Sequence, residues 1–226
     1  MPASGIWAIF ETEGLWRIVA LSLGVSLSAT ALATLAGISF GAALALCSFP
    51  GRRALVVLTN AFLGLPPVVV GLALYLLLSR SGPLRVIGLL FTPGAMVMAQ
   101  FLLATPIVTA FVHRAVETAW DQYGGALMVD GASRWRAVPH LLAIEQIQIF
   151  AAVLAGFGRT ISEVGAILIV GGNIAFYTRT MTTAIVLETS KGNLSLALGL
   201  GFVLIGVSIA VSATIFALGM RGGRGW

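Results

Sequence analysis

The sequence predicts an all-α membrane protein with five transmembrane helices, and three observations carry that expectation. Apolar residues make up 58% of the 226 residues and charged residues 9%, against about a quarter charged in an ordinary soluble domain. Mean hydropathy is +1.02, which excludes a disordered chain and argues against a water-soluble enzyme. The apolar runs are continuous rather than alternating, so spanning helices fit and an outer-membrane barrel does not.

The elements follow in chain order. Residues 18–47 and 55–78 are uncharged runs. Residues 86–112 form a third, with a bend or break expected near Pro93-Gly94 and again near Pro106. Residues 147–170 are apolar except for Gln148, Arg159 and Glu163, and 194–218 are uncharged. The first run is too long for a signal-peptide core, and its upstream flank carries Glu11 and Glu13 rather than a basic cluster. It therefore reads as an uncleaved membrane helix, and 1–226 as a single transmembrane domain. Within the first run Ala33, Gly37 and Gly41 repeat every four residues. Small residues at this spacing let helix backbones approach closely, either within one subunit or at a dimer seam.

Five spans place the termini on opposite sides. With the amino terminus outside, the inside segments hold Arg52, Arg53, Arg114, Arg134, Arg136, Arg221 and Arg224, and the outside segments Arg17, Arg80, Arg85, Arg179 and Lys191. The bias is modest but points inward for the short Pro50-Gly51-Arg52-Arg53 turn and the basic tail. Cys47 stands alone, and His113 and His140 form no metal-ligand pattern. No aromatic and basic stripe suggests nucleic acid.

The substantial cytoplasmic segment is 113–144. Its first part reads as a helix, with Glu117 and Asp121 one turn apart. Gly131 then supplies a turn, and Ser133 caps a short helix containing Arg134, Trp135, Arg136 and Val138. Trp135, Val138 and Leu142 share a face by spacing, and Pro139 keeps the helix short or irregular. Such a helix suits docking into a partner's groove or resting on lipid headgroups.

The run Gly131-Ala132-Ser133-Arg134-Trp135-Arg136 resembles the coupling-loop motif, the EAA loop, of ABC-importer permeases. In that family the loop precedes the last two spans, as here. The leading glutamate of the motif is missing, since its place falls near Gly124-Gly125-Ala126, and so is the closing proline, near Ala143-Ile144. The stretch from Phe157 to Ala166, then Gly171-Gly172-Asn173-Ile174 and Tyr177-Thr178-Arg179-Thr180, is similar to molybdate and tungstate permeases. Leu65-Pro66-Pro67 through Leu72 is similar to the same group, and the 182–193 stretch looks most like the tungstate branch. The resemblance implies a type I ABC-importer permease fold in a bacterial or archaeal inner membrane. It also implies a homodimer, a separate nucleotide-binding ATPase subunit carrying ATP-Mg, and a periplasmic or lipid-anchored oxyanion-binding protein. Residues 131–135 and Val138 would then couple to the ATPase, and the substrate would be tungstate, with molybdate or sulfate as alternatives.

Arg159 and Glu163 are four residues apart, so they can pair. Each alone at mid-membrane would cost roughly 2.5–3.5 kcal/mol on insertion scales. They read either as a helix-locking ion pair or as part of a translocation path, together with Ser162. Pro66 and Pro67 remove two backbone donors and kink the second span, with a gate lining or a plain kink both open. Asn173 and the threonines of 178–183 line an outer mouth or an interfacial loop. A phosphate-cradling loop needs Gly-Lys-Ser/Thr, and the lone Lys191 is followed by Gly192, so this chain carries no such loop and no cofactor of its own is expected. Two other classes fit less well. An intramembrane enzyme would need a nucleophile or metal cluster beside Glu163, and a stand-alone ion-coupled carrier would work without ATP.

Overall fold

A computed structural model describes residues 13–222. The acidic flank at Glu11 and the basic tail at Arg224 lie outside the described residues, as do the side chains of Glu13 and Arg221. Every regular element among the described residues is helical: α1 Glu13–Leu46, α2 Arg52–Ala61, α3 Pro67–Leu78, α4 Pro93–Val129, α5 Arg134–Ile144, α6 Gln146–Ile161, α7 Gly165–Gly171, α8 Met181–Ser190 and α9 Leu194–Gly222. Helices α1, α4 and α9 are each long and apolar enough to cross a membrane, and the bent pairs α2–α3 and α5–α6 raise the possible crossings to five.

Local sequence explains the breaks. Gly51 sits at φ 91° and opens α2, a left-handed conformation that glycine adopts without steric cost. Between α2 and α3, Leu65 and Pro66 each precede a proline. A residue before proline is pushed out of the helical region, and both are extended, with ψ 123° and 119°. The expected kink in the second span is thus a full break, and the chain turns by 103° there.

The third element departs from expectation. Residues 85–87 form a separate 3-10 turn, and Thr92 caps α4, its hydroxyl accepting the Ala95 N–H at 3.4 Å. Pro93 occupies the first helical turn, where no donor is lost, and α4 runs through Pro106 without ending. The expected end at Val112 does not occur. At 37 residues α4 is about 55 Å long, well beyond a hydrocarbon core of about 30 Å, so its last turns are what the sequence presents as a separate polar helix.

The fourth run is interrupted as well. Helix α6 ends at Ile161, residues 162–164 are non-helical, and α7 resumes at Gly165. Helix α8 replaces the expected outer loop. Its cap is Thr180, whose hydroxyl accepts the Thr183 N–H while Thr183 Oγ1 accepts the Thr180 N–H.

Contacts fix the helix directions. Cβ atoms built at Gly37 and Gly41 would meet Val108 and Val112 respectively, and Gln100 reaches Ser26, so α1 and α4 run parallel. The small-residue stripe of α1 is therefore a seam within the chain. Thr160 meets Thr30 and Gln100, while Ala152 packs with Val112 and Val116, so α6 runs the other way. Leu200 packs with Leu15 and Val19, and Gly219 lies against Phe150, so α9 runs with α1. One end of the bundle thus gathers the start of α1 with the loops 79–92 and 172–180. The opposite end gathers 46–52, 129–145 and the end of α9.

Candidate functional site

At the second end, α4 stops in a turn built around Gly131. The Ala132 N–H donates to the Leu127 carbonyl at 2.9 Å and the Gly131 N–H to Met128 at 3.0 Å, with Gly131 at φ 80°. This is a Schellman closure, which places a left-handed residue just past the helix end. Ser133 then caps α5, its hydroxyl accepting the Arg136 N–H at 3.4 Å. Arg134 fixes the turn to the bundle. Its Nη1 donates to the Leu46 carbonyl at 2.7 Å, and its guanidinium lies 5.7 Å from the Trp120 ring centre.

Helix α5 buries Ala137 and Leu141 completely, and Val138 and Leu142 pack against the same cluster. The face expected from spacing is therefore rotated. Val138 points inward, while Trp135 projects outward at 58% exposure. Beneath the turn, Arg52 Nη2 donates to Glu117 at 2.6 Å and Arg52 Nε to the Leu44 carbonyl at 2.5 Å, tying α2 to α1 and α4.

A second cluster lies where the two broken helices meet. Arg159 Nη2 stands 3.8 Å from Glu163 Oε2 and 3.4 Å from the Leu65 carbonyl, immediately before Pro66-Pro67. Glu163 is buried. Its Oε1 accepts the Ala166 N–H at 3.0 Å, and its carbonyl accepts the Thr182 hydroxyl at 2.9 Å. Arg159 is only partly buried, so the exposed member of the pair is the cation. Ser162 lies on the exposed side, its hydroxyl turned to the Gly158 carbonyl at 2.7 Å. Gly71 lets α3 approach α7, since a Cβ there would stand 2.7 Å from Ala166 Cα. Thus Arg159, Glu163 and the Pro66-Pro67 break form one assembly. Asn173 belongs to the loop after α7, where its Oδ1 accepts Arg179 Nε at 3.3 Å.

Sequence reasoning missed a buried polar cluster between these sites. Gln100 Nε2 donates to the Thr160 carbonyl at 2.7 Å, and the Thr30 and Thr160 hydroxyls stand 3.0 Å apart. Gln100 Oε1 is buried without a partner. The available signal was a lone glutamine within an otherwise apolar run. Among the described residues no group of three His, Cys, Asp or Glu side chains could hold a metal ion.

No family model matches this sequence. Known proteins do. The "Probable anion ABC transporter permease protein" of Haloferax volcanii is 39% identical over 201 residues, covering 87% of this chain and 87% of the relative. The chain belongs to the anion-type ABC transporter permeases. A tungstate uptake system permease protein, TupB, of Peptoclostridium acidaminophilum is 34% identical over 203 residues, covering 90% of this chain and 89% of that one. A permease-like fold also appears in the crystal structure of a bacterial alginate ABC transporter in complex with alginate pentasaccharide-bound periplasmic protein, at a TM-score of 0.79 and 18% identity over 99% of this chain and 84% of that one. As an ABC permease this chain is a multi-pass inner-membrane subunit and not itself an enzyme.

Proposed function

We propose that this permease is the transmembrane subunit of an ATP-driven importer that moves a tetrahedral oxyanion, tungstate, by alternating access. In this reading 1–226 is one transmembrane domain that crosses five times, by α1, α2–α3, α4, α6–α7 and α9, with the amino terminus outside. The parallel course of α1 and α4 supports it, because two helices running the same way need an odd number of crossings between them, and the bent pair α2–α3 supplies one. Two copies of the chain form the pathway. A nucleotide-binding subunit carrying ATP-Mg docks inside, and an oxyanion-binding protein docks outside.

The observation that carries this reading is the rigid turn at Gly131 with Trp135 projecting from it. Schellman closure, the Ser133 cap and the Arg134 anchor hold α5 firmly on the bundle while leaving Trp135 free to be gripped. A force on this handle enters α6, which follows α5 after the single residue Glu145, and reaches Arg159, Glu163 and the Pro66-Pro67 break. The guanidinium of Arg159 offsets anionic charge while its partner Glu163 keeps binding weak, as conduction requires. The tungstate choice rests on the sequence features of 171–193 and on the likeness to the tungstate uptake permease TupB.

The test is uptake by proteoliposomes holding the permease with its ATPase and binding protein. Trp135→Ala should abolish ATP-dependent uptake while leaving membrane insertion and thermal stability unchanged. Undiminished uptake refutes the coupling role. Calorimetry of the binding protein with tungstate, molybdate and sulfate decides the substrate, and sulfate-only binding overturns the tungstate assignment.

A further inference from the structure

At the end opposite the coupling turn, a cavity of about 180 Å³ lies between the start of α1 and the loop after α7. Arg17 and Arg179 both line it, with Gly14, Ile18, Phe176 and Tyr177 among its other walls and no carboxylate among its described lining residues, although Glu188 lies close enough to Arg179 to feel its charge. The loop wall is rigid. Thr178 Oγ1 donates to the Gly171 carbonyl at 2.6 Å and accepts the Ile174 N–H at 2.9 Å. Asn173 and Phe176 are held at φ 50° and 61°, a conformation uncommon for residues other than glycine, which persists only where its surroundings fix it.

The donors in this cavity are incompletely used. Arg179 directs Nε and Nη2 at Asn173, at 3.3 and 3.4 Å. A guanidinium has five N–H donors, so three meet no acceptor among the described residues. The backbone N–H groups of Ala175 and Phe176, also at the cavity, meet no acceptor among the described residues. Two guanidinium forks and exposed backbone amides in a turn are the donor set that recognises small oxyanions.

We propose that this cavity binds one tetrahedral oxyanion, held between Arg17 and Arg179. Its chemistry is shared by two sources, the free anion that the permease would import and the phosphate of a lipid headgroup. The binding does not depend on the transport reading; only the role of the site, as a station ahead of Arg159, rests on it. The affinity should be modest, because a tight station would retain its anion.

The experiment is calorimetry on the full-length chain, purified in neutral detergent and stripped of lipid, titrated with sodium tungstate at ionic strength fixed by sodium chloride. Saturable binding is expected, weakened about tenfold by Arg17→Gln and less by Arg17→Lys, which keeps charge but loses the fork. Arg85→Gln, in a separate loop at the same end, should match the parent. Thermal melting of each variant checks that the fold is retained. A parallel titration with short-chain phosphatidylglycerol separates the sources. Displacement of tungstate by this lipid, with the same sensitivity to Arg17→Gln, makes lipid phosphate a resident of the site, whereas no displacement leaves the free anion as its ligand. Absence of saturable binding by either probe, or binding insensitive to both Arg17→Gln and Arg179→Lys, overturns the proposal. Failed uptake in the reconstituted system with intact binding here would sink the transport reading alone.

Discussion

The seam between α1 and α4 offers a sharp test because three glycines of one helix meet different surroundings. A Cβ at Gly41 would stand 2.8 Å from Val112 Cβ and 2.9 Å from the Thr109 carbonyl oxygen. The oxygen belongs to helix backbone and cannot rotate away, so Gly41→Ala must push the helices apart. Overpacking of this kind costs about 1–3 kcal/mol. Alanine's better helix propensity returns about 0.8–1.0 kcal/mol, leaving a net loss of up to about 2 kcal/mol. Gly37→Ala belongs to the same class, with Val108 Cγ1 at 2.6 Å and the Thr109 nitrogen at 3.1 Å. Gly24 has nothing within 4 Å, so Gly24→Ala keeps the propensity gain without the clash. In detergent, Gly41→Ala should therefore lower the apparent melting midpoint by several degrees, at about 2–4 °C per kcal/mol for a chain of this size, and Gly24→Ala should hold or raise it. Fluorescence-detected size exclusion after heating reads both. Equal losses at Gly24 and Gly41 would refute the assignment of the tight seam to α1 and α4.

Three further outcomes are expected. Both Glu163→Gln and Glu163→Ala remove the carboxylate beside Arg159, but only glutamine keeps an oxygen for the Ala166 N–H, so the alanine variant should melt lower than the glutamine one by an amount equivalent to about 1–2 kcal/mol; equal midpoints would contradict the capping role. Gln100→Leu should change stability by less than about 1.5 kcal/mol, because the lost hydrogen bond is offset by removing the unpartnered Oε1, and the Thr160 carbonyl still accepts the Glu163 N–H at 3.2 Å. The Lys191 ammonium hydrogen-bonded to Glu188 at 2.7 Å, assisted by Asn193, holds that carboxyl below its usual value of 4.5. A lowered folded pKa stabilises above the unfolded pKa and is lost as pH falls through the folded one, so this small contribution should fade below about pH 4.5, and Lys191→Met should flatten the acid limb of a pH–melting curve.

Much of the architecture was legible because the membrane imposes a length and a polarity rule on every crossing. The Gly131 turn and the Ser133 cap were legible for a different reason, since each depends on one residue's own backbone or side-chain chemistry. The breaks were less so. Pro66-Pro67 announces an interruption, but a kink and a 103° turn have the same local signature, and packing of Gly71 against Ala166 supports the sharper angle. Residues 162–164 contain neither glycine nor proline, so the stop between α6 and α7 is a tertiary effect in which buried Glu163 caps the next helix. The orientation of α5 misled for a related reason. Spacing groups Trp135 with Val138 and Leu142, yet Ala137 and Leu141 face inward while Arg134 reaches Leu46 and Trp135 stays outside. Small residues such as Ala137 give periodicity little to read, although they permit the closest packing.

The two interrupted helices are more informative together than apart. A break in a membrane helix exposes carbonyls and amides that lipid cannot satisfy, so each needs a polar neighbour at the same depth. Here residues of the second break serve both. Arg159, at the end of α6, addresses the Leu65 carbonyl left at the proline break, while Glu163 closes the start of α7, and α7 lies against α3 through Gly71. Sliding α3 away from α6 would cost the Leu65 carbonyl its Arg159 donor, while the Glu163 cap would travel with α7. Under the proposed alternating-access mechanism, this link would tie a shift of α3 to the break between α6 and α7, as a bundle with two bonded states requires. Arg159 is the residue that joins the two breaks, its Nη2 lying 3.8 Å from Glu163 and 3.4 Å from the Leu65 carbonyl.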